Sequence, residues 1–180
     1  MTLSVRRSVA ALAVGAALVL AGCGSPAGPD RAAVVDGRVI PETAVQSAMS
    51  EINSMNPALL QAKLTPTGTL TALVQAPVVL RYLSDLGVKV SPSVAKEDAR
   101  KRGVANPSDS TLEILRFASA IGQAQDDGKL TDTDAAALTK QLQELSIDVN
   151  PRYGTFNPKT ASVELTQPGW IKPLPVPTPQ

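Results

Sequence analysis

Between Arg31 and Thr166 the apolar positions recur with two different periods, and the change from one to the other lays out the elements. Ala32-Ala33-Val34-Val35 and Arg38-Val39-Ile40 flank Asp36-Gly37, a pair that favours a two-residue hairpin because both residues tolerate positive φ. Pro41-Glu42 then opens a helix, with proline suited to the first turn and the acid to the positive end of the dipole. Val45, Ala48, Met49, Ile52 and Met55 fall on one face of it, and Asn56-Pro57 stops it. Ala58 to Leu64 has the composition for a further turn or two. From about Thr67 to Leu86, the residues Leu70, Leu73, Val74, Val78, Tyr82, Leu83 and Leu86 make a broad apolar face closed by Gly87, and Pro77 within it is expected to kink or split the helix. Val88-Lys89-Val90 reads as an extended link, and Ser91-Pro92 caps a short, charged helix that runs to roughly Arg102. Asn106-Pro107-Ser108-Asp109 opens a fourth helix with a stripe of Leu112, Leu115, Ala118 and Ile121. A fifth starts near Thr131 to Thr133 and is expected to bury Ala135, Leu138, Leu142 and Leu145. The alternation of Ala161 to Thr166 predicts one strand, expected to pair with the N-terminal hairpin so that both ends close on the helical body. The fold class is therefore predicted as mainly α: about five helices, with a small β-sheet formed by an N-terminal hairpin and a C-terminal strand.

The two ends of the chain follow other patterns. Arg6 and Arg7 precede an almost unbroken run of Ala, Val and Leu from Ser8 to Leu20, the charged-then-apolar layout of a secretory signal. The run is shorter than the about 20 apolar residues a bilayer core asks for, which favours a cleaved signal over a membrane anchor. Leu20-Ala21-Gly22-Cys23 resembles the lipobox of bacterial lipoproteins, and that resemblance implies a diacylglyceryl group on Cys23, which becomes the mature N-terminus. Stable anchoring needs more than one acyl chain, a requirement such a group meets. The expected organisation is a signal peptide over 1–22, a flexible Gly/Pro/Ser tether over 23–30, one helical domain over 31–167 and a proline-rich tail over 168–180. The expected location is the extracytoplasmic face of the cell membrane, with Arg6-Arg7 compatible with both the general and the twin-arginine export routes.

Composition narrows the chemistry. The chain has no histidine and one cysteine, so imidazole acid–base catalysis, a cysteine nucleophile and the usual zinc sites are not available once Cys23 carries lipid. Removing residues 1–22 takes two of the 17 basic residues and none of the 16 acidic ones, leaving a net charge of −1 and no electrostatic reason to expect nucleic acid. Arg100-Lys101-Arg102 reads as a solvated helix end. With one Trp, two Tyr and two Phe, the core is expected to be aliphatic. Gln123 to Asp134 resembles a degraded calcium loop, with Gly128 and Leu130 in the sixth and eighth places. Glutamines stand at two ligand positions and Asp134 replaces the bidentate Glu, so an interhelical turn capped by Thr and Asp is the favoured reading. The acidic pairs Glu97-Asp98 and Asp126-Asp127 are sequence neighbours and do not face one another, and no G-x-S-x-G pattern is present. No enzyme, cofactor or metal site is expected. Tyr153 and Phe156 read as aromatics capping the core, and Trp170 either as an anchor for a partner or as a residue folded back on the body.

Val34-Val35-Asp36-Gly37-Arg38-Val39-Ile40-Pro41-Glu42-Thr43 resembles the opening of the SurA-type periplasmic chaperones and related foldase lipoproteins. Leu83 to Ser91 resembles the family's passage from one helix to the next, and Asn150-Pro151-Arg152-Tyr153-Gly154 the start of its returning C-terminal strand. The stretch between Asn106 and Asp148 is too short for the parvulin prolyl isomerase domain that commonly sits there, so isomerase activity is not carried over. The resemblance implies a SurA N-terminal-like body that binds exported or unfolded polypeptides. Met49, Ile52, Met55 and Tyr82 are the candidates for that contact, since methionine on an apolar face is soft and adaptable. The alternative is an envelope lipoprotein that docks one specific folded partner.

Overall fold

A computed structural model describes residues 30–166. The signal segment, Cys23 and the tail with Trp170 lie outside the described residues. Ten elements follow in chain order: β1 (Arg31–Val35), β2 (Arg38–Pro41), α1 (Glu42–Ser54), α2 (Pro66–Asp85), α3 (Pro92–Lys101), α4 (Asp109–Asp126), α5 (Asp132–Gln143), β3 (Ile147–Val149), β4 (Thr155–Asn157) and β5 (Ser162–Glu164). The architecture is mainly α, with five helices and small antiparallel sheets made by the N-terminal hairpin and C-terminal strands.

The helix starts follow their capping residues. Thr65 accepts from Gly68 N ahead of Pro66, Ser91 from Val94 N ahead of Pro92, and Ser108 from Thr111 N. At α5, Thr131 and Asp134 form a reciprocal capping box. The hairpin turns on Asp36 and Gly37, both at positive φ, the geometry that a two-residue loop between twisted strands requires. Residues 55–65 form no further helical turn. They are held instead by Asn53, which bonds both the N–H and the C=O of Leu64, and by Arg102, whose guanidinium reaches the carbonyls of Pro57 and Ala58. Arg102 is therefore a tertiary clamp as well as part of a helix end.

Pro77 does not split α2, which runs unbroken from Pro66 to Asp85. A proline at 77 has no N–H to give to the carbonyl of Leu73, four residues earlier. Arg38 Nη2 from β2 donates to that carbonyl at 2.7 Å, while Nη1 faces Glu113 of α4 at 3.3 Å. One side chain thus replaces the lost backbone bond and ties the hairpin to two helices.

The sheet topology corrects the expected strand pairing. The hairpin's third strand is β3, in the order β2-β1-β3, with Ala33 opposite Val149 and Val35 opposite Ile147. The 161–166 alternation forms β5, which pairs with β4 in a separate two-stranded sheet, Phe156 opposite Val163. The physical reason is one long-range contact and one short-range one. Asp36 N donates to Ser146 O and Ser146 N to Asp36 Oδ1, which fixes β3 on β1, while the Asn157 Oδ1 to Lys159 N bond folds the chain back so that β5 meets β4 first. Val163 still packs in the same core as Ala33 and Val35.

That core is aliphatic and has two parts. The first gathers Ile40, Val45, Ile52, Leu70, Leu73 and Leu115, with Tyr153 as its aromatic member. The second gathers Val79, Leu83, Ala120, Ala124, Leu138 and Leu142. Phe156 and Leu145, half-buried, pack against both. The α4 stripe is rotated from its expected phase: Thr111, Ile114, Leu115, Ala120 and Ala124 are buried, whereas Leu112, Ala118 and Ile121 are only half-covered. In α5, Leu138 and Leu142 are buried, Leu145 beyond its end is half-covered and Ala135 is exposed.

Candidate functional site

Three apolar stripes meet without filling the space between them. Val79 and Leu83 of α2 and Phe117 and Ile121 of α4 are i, i+4 pairs, and Ala135, Leu138 and Leu142 of α5 are spaced i, i+3, i+7. Ala135 stands at the rim with only a methyl group, so the groove stays open there and encloses about 250 Å³. Leu130 and the 160–161 turn close its ends. That turn is held by Gln75 Nε2, which donates to the Ala161 carbonyl at 2.7 Å. The Thr139 hydroxyl is turned inward to the Ala135 carbonyl, leaving the wall largely apolar. Small-molecule sites occupy about 300–1,000 Å³, so a groove below that range suits one or two apolar side chains better than a cofactor.

The residues singled out from the sequence lie elsewhere. Ile52 and Met55 are 4% and 5% exposed and belong to the first core, where α1 packs against α2, α4 and the hairpin. Their spacing marked a core face, although Ile52 also lines a small cleft of about 200 Å³ beside residues 58–63. Met49 is half-buried on the same helix. Tyr82 is half-buried on α2, and its hydroxyl donates to Asp134 Oδ1 at 2.7 Å, one residue from the groove's rim at Ala135. Val79, Phe117 and Leu130 were not anticipated as site residues. Their i, i+4 partners carry a signal in the sequence, but the meeting of three helices does not.

The displaced titrations are explained by these same contacts. Hydrogen bonds from the Thr131 side chain and backbone, and then from Tyr82, hold the Asp134 carboxyl below the usual carboxylate range. The bond to Asp134 raises the Tyr82 phenol in turn. Burial raises the Tyr153 phenol, whose oxygen has no hydrogen-bond partner, although Gln46 lies beside it. Glu164 is lowered by hydrogen bonds from Thr160 and Asn157. Among the described residues no group of three or more His, Cys, Asp or Glu is placed to hold a metal ion. Within the 123–134 segment the first four residues end α4, 127–131 form the interhelical turn, and Asp134 is given over to the α5 cap.

A pH dependence follows with its sign. The Asp134 pKa is depressed on folding, so its stabilisation is fully present above the unfolded carboxylate value and is lost as pH falls through the folded one. Asp134→Ala is expected to lower the melting temperature at pH 7, and the gap from the parent is expected to close on titration into the acid range. A gap that stays constant with pH would contradict the assignment.

No family model, curated protein or solved structure matches the chain.

Proposed function

We propose that this chain is a lipid-anchored protein of the extracytoplasmic membrane face whose helical body holds extended or unfolded segments of exported polypeptides without catalysing a reaction. The anchor is the acyl-modified Cys23, and the body is of the SurA N-terminal kind. The lipobox-like Leu20-Ala21-Gly22-Cys23 supports the anchor, and the chaperone-like opening from Val34 to Thr43 supports the body. No described helix is long and apolar enough to cross a membrane.

The observation that carries the reading is the open apolar groove between α2, α4 and α5. A site that serves many unrelated sequences has to take apolar side chains without a fixed hydrogen-bonding pattern. The half-covered Phe117, Ile121 and Leu130 offer such a wall.

Ala135→Glu tests it. The residue is exposed in the first turn of α5, where an acid suits the helix dipole, so the fold is expected to be kept. The carboxylate would stand at the rim of the groove and would need desolvating to admit an apolar side chain. The parent is expected to delay the aggregation of several unrelated unfolded proteins, and the variant to lose most of that effect with its melting temperature within about 2 °C of the parent. Equal activity in parent and variant would remove the groove from the account. Binding of a single folded envelope protein in place of unfolded clients would favour the specific-partner alternative.

A further inference from the structure

The end of the body where α1 stops carries an apolar corner set among cations. The 55–65 segment crosses this end, and Leu60 on it is 44% exposed. A cleft of about 200 Å³ opens between the segment and α1, lined by Ile52, Asn53 and the half-buried Leu59 among others. No carboxylate occurs in the sequence between Glu51 and Asp85. The acids that pack nearby are engaged: Glu51 accepts from the N–H and the hydroxyl of Ser108, and Asp98 holds Arg102 at 3.0 Å. Asp109 lines the cleft beside Pro77 and Leu80, not the one beside the segment. Lys63 on the segment and Arg100 in the last turn of α3 are exposed, and among the described residues neither forms an ion pair. Arg102 fastens the two elements together through the carbonyls of Pro57 and Ala58.

We infer that this end docks on a bilayer surface containing anionic lipid, with Leu60 entering the headgroup boundary and Lys63 and Arg100 facing lipid phosphates. An apolar residue flanked by unpaired cations has the chemistry of an interfacial contact. The inference rests on the proposed lipid anchor at Cys23, and the length of chain between anchor and body permits it. Glu42 N donates to Asp30 O at 2.9 Å, so the chain enters the body at the start of α1. α1 has 13 residues and is about 20 Å long, and the 55–65 segment lies at its far end. Asp30 is seven residues from Cys23, a reach of about 23 Å when extended. Each cation near an anionic surface strengthens binding about fivefold, and two give about 25-fold. That is too little to hold a free protein but enough to orient one already tied to the membrane. Docked this way, the body carries its client groove away from the lipid: Val79 and Leu83 lie about 20–25 Å along α2 from Pro66.

The test takes the chain from Cys23 to Gln180 and couples Cys23, the only cysteine, through its thiol to a maleimide-bearing lipid in vesicles. Coupling ties the chain to the bilayer whether or not cells acylate it, so failure of the anchor reading and failure of the docking face are separate results. In a Trp170→Phe background, Leu60→Trp places the single tryptophan at the apolar corner. Gln125→Trp places it instead on the exposed last turn of α4, about 24 Å along that helix from Asp109. The vesicles are an equal mixture of phosphatidylglycerol and phosphatidylcholine with nitroxide-labelled lipid as quencher. The reporter at 60 is expected to shift to the blue and lose much of its emission relative to the uncoupled chain, and the reporter at 125 to do neither. Lys63→Gln with Arg100→Gln is expected to lower the docked-to-free ratio about 25-fold while the melting temperature stays within about 2 °C of the parent. Vesicles of phosphatidylcholine alone are expected to release the reporter at 60 in the same way. A reporter at 60 that stays solvated on the anionic vesicles would overturn the inference. So would equal quenching at 60 and 125, or quenching at 60 that survives the loss of both cations or of the anionic lipid.

Discussion

Gly154→Ala is expected to destabilise the protein by about 2–6 kcal/mol and to lower its melting temperature by about 10 °C. Gly154 sits at φ +113°, where an L side chain is strained. A methyl group there would also meet the backbone carbonyl of Glu164 far inside van der Waals contact. That carbonyl cannot step aside cheaply. Glu164 is paired with Thr155 in the β4–β5 ladder, and its carboxylate is held by Thr160 and Asn157. Movement of β5 would pull Val163 out of the first core, and Tyr153, next to the substituted residue, is buried in the same core. Strain at the backbone contributes about 1–3 kcal/mol and the overlap a similar amount. Thermal unfolding followed by circular dichroism reads the effect, and a fall of less than about 2 °C would mean the β4–β5 unit adjusts freely.

Arg38→Met is expected to cost about 2 kcal/mol, most of it because the Leu73 carbonyl loses the donor that stands in for the missing Pro77 N–H. The ion pair with Glu113 adds little, since the two side chains are 43% and 24% exposed. The two sources separate in a double-mutant cycle. In a Pro77→Ala background the helix supplies its own donor to Leu73, so removing Arg38 is expected to cost about 1 kcal/mol less than in the parent. Additive losses would show that Arg38 matters through Glu113 or through packing of its stem, and that Pro77 and Arg38 are independent. Urea unfolding of the four proteins gives the coupling directly.

The Pro77 case shows where a reading of sequence stops. Local rules placed the helix starts well, because the signals at Pro41-Glu42, Ser91-Pro92, Ser108-Asp109 and Thr131 act within a few residues of the backbone they stabilise. The rule that proline breaks a helix is also local, and it misleads when an arginine 39 positions earlier supplies the missing bond. Strand pairing failed for a related reason. Ile147-Asp148-Val149 is too short to register as a strand, and its assignment to β1 rests on Asp36 and Ser146 meeting across 110 positions. The α4 stripe was misphased because that helix touches α1, α2 and α3 together, which broadens its buried face beyond one period. Of the binding candidates, Ile52 and Met55 show how an apolar helical face marks the core more often than a site. The groove was only partly legible: Leu83, Ile121, Ala135, Leu138 and Leu142 stood out as stripe residues, but the gap left by a small residue where three helices converge exists only after packing.

The central claim is that the groove between α2, α4 and α5 receives apolar segments of many different polypeptides. A photo-reactive amino acid placed at position 135, at the rim of that groove, tests it most directly when crosslinked in intact cells. The account expects adducts with several unrelated exported chains, lost when the same probe is moved to Val94 on α3, which does not line the groove and is 59% exposed. A single stoichiometric adduct with one folded envelope protein, or the same adducts from both positions, would contradict it.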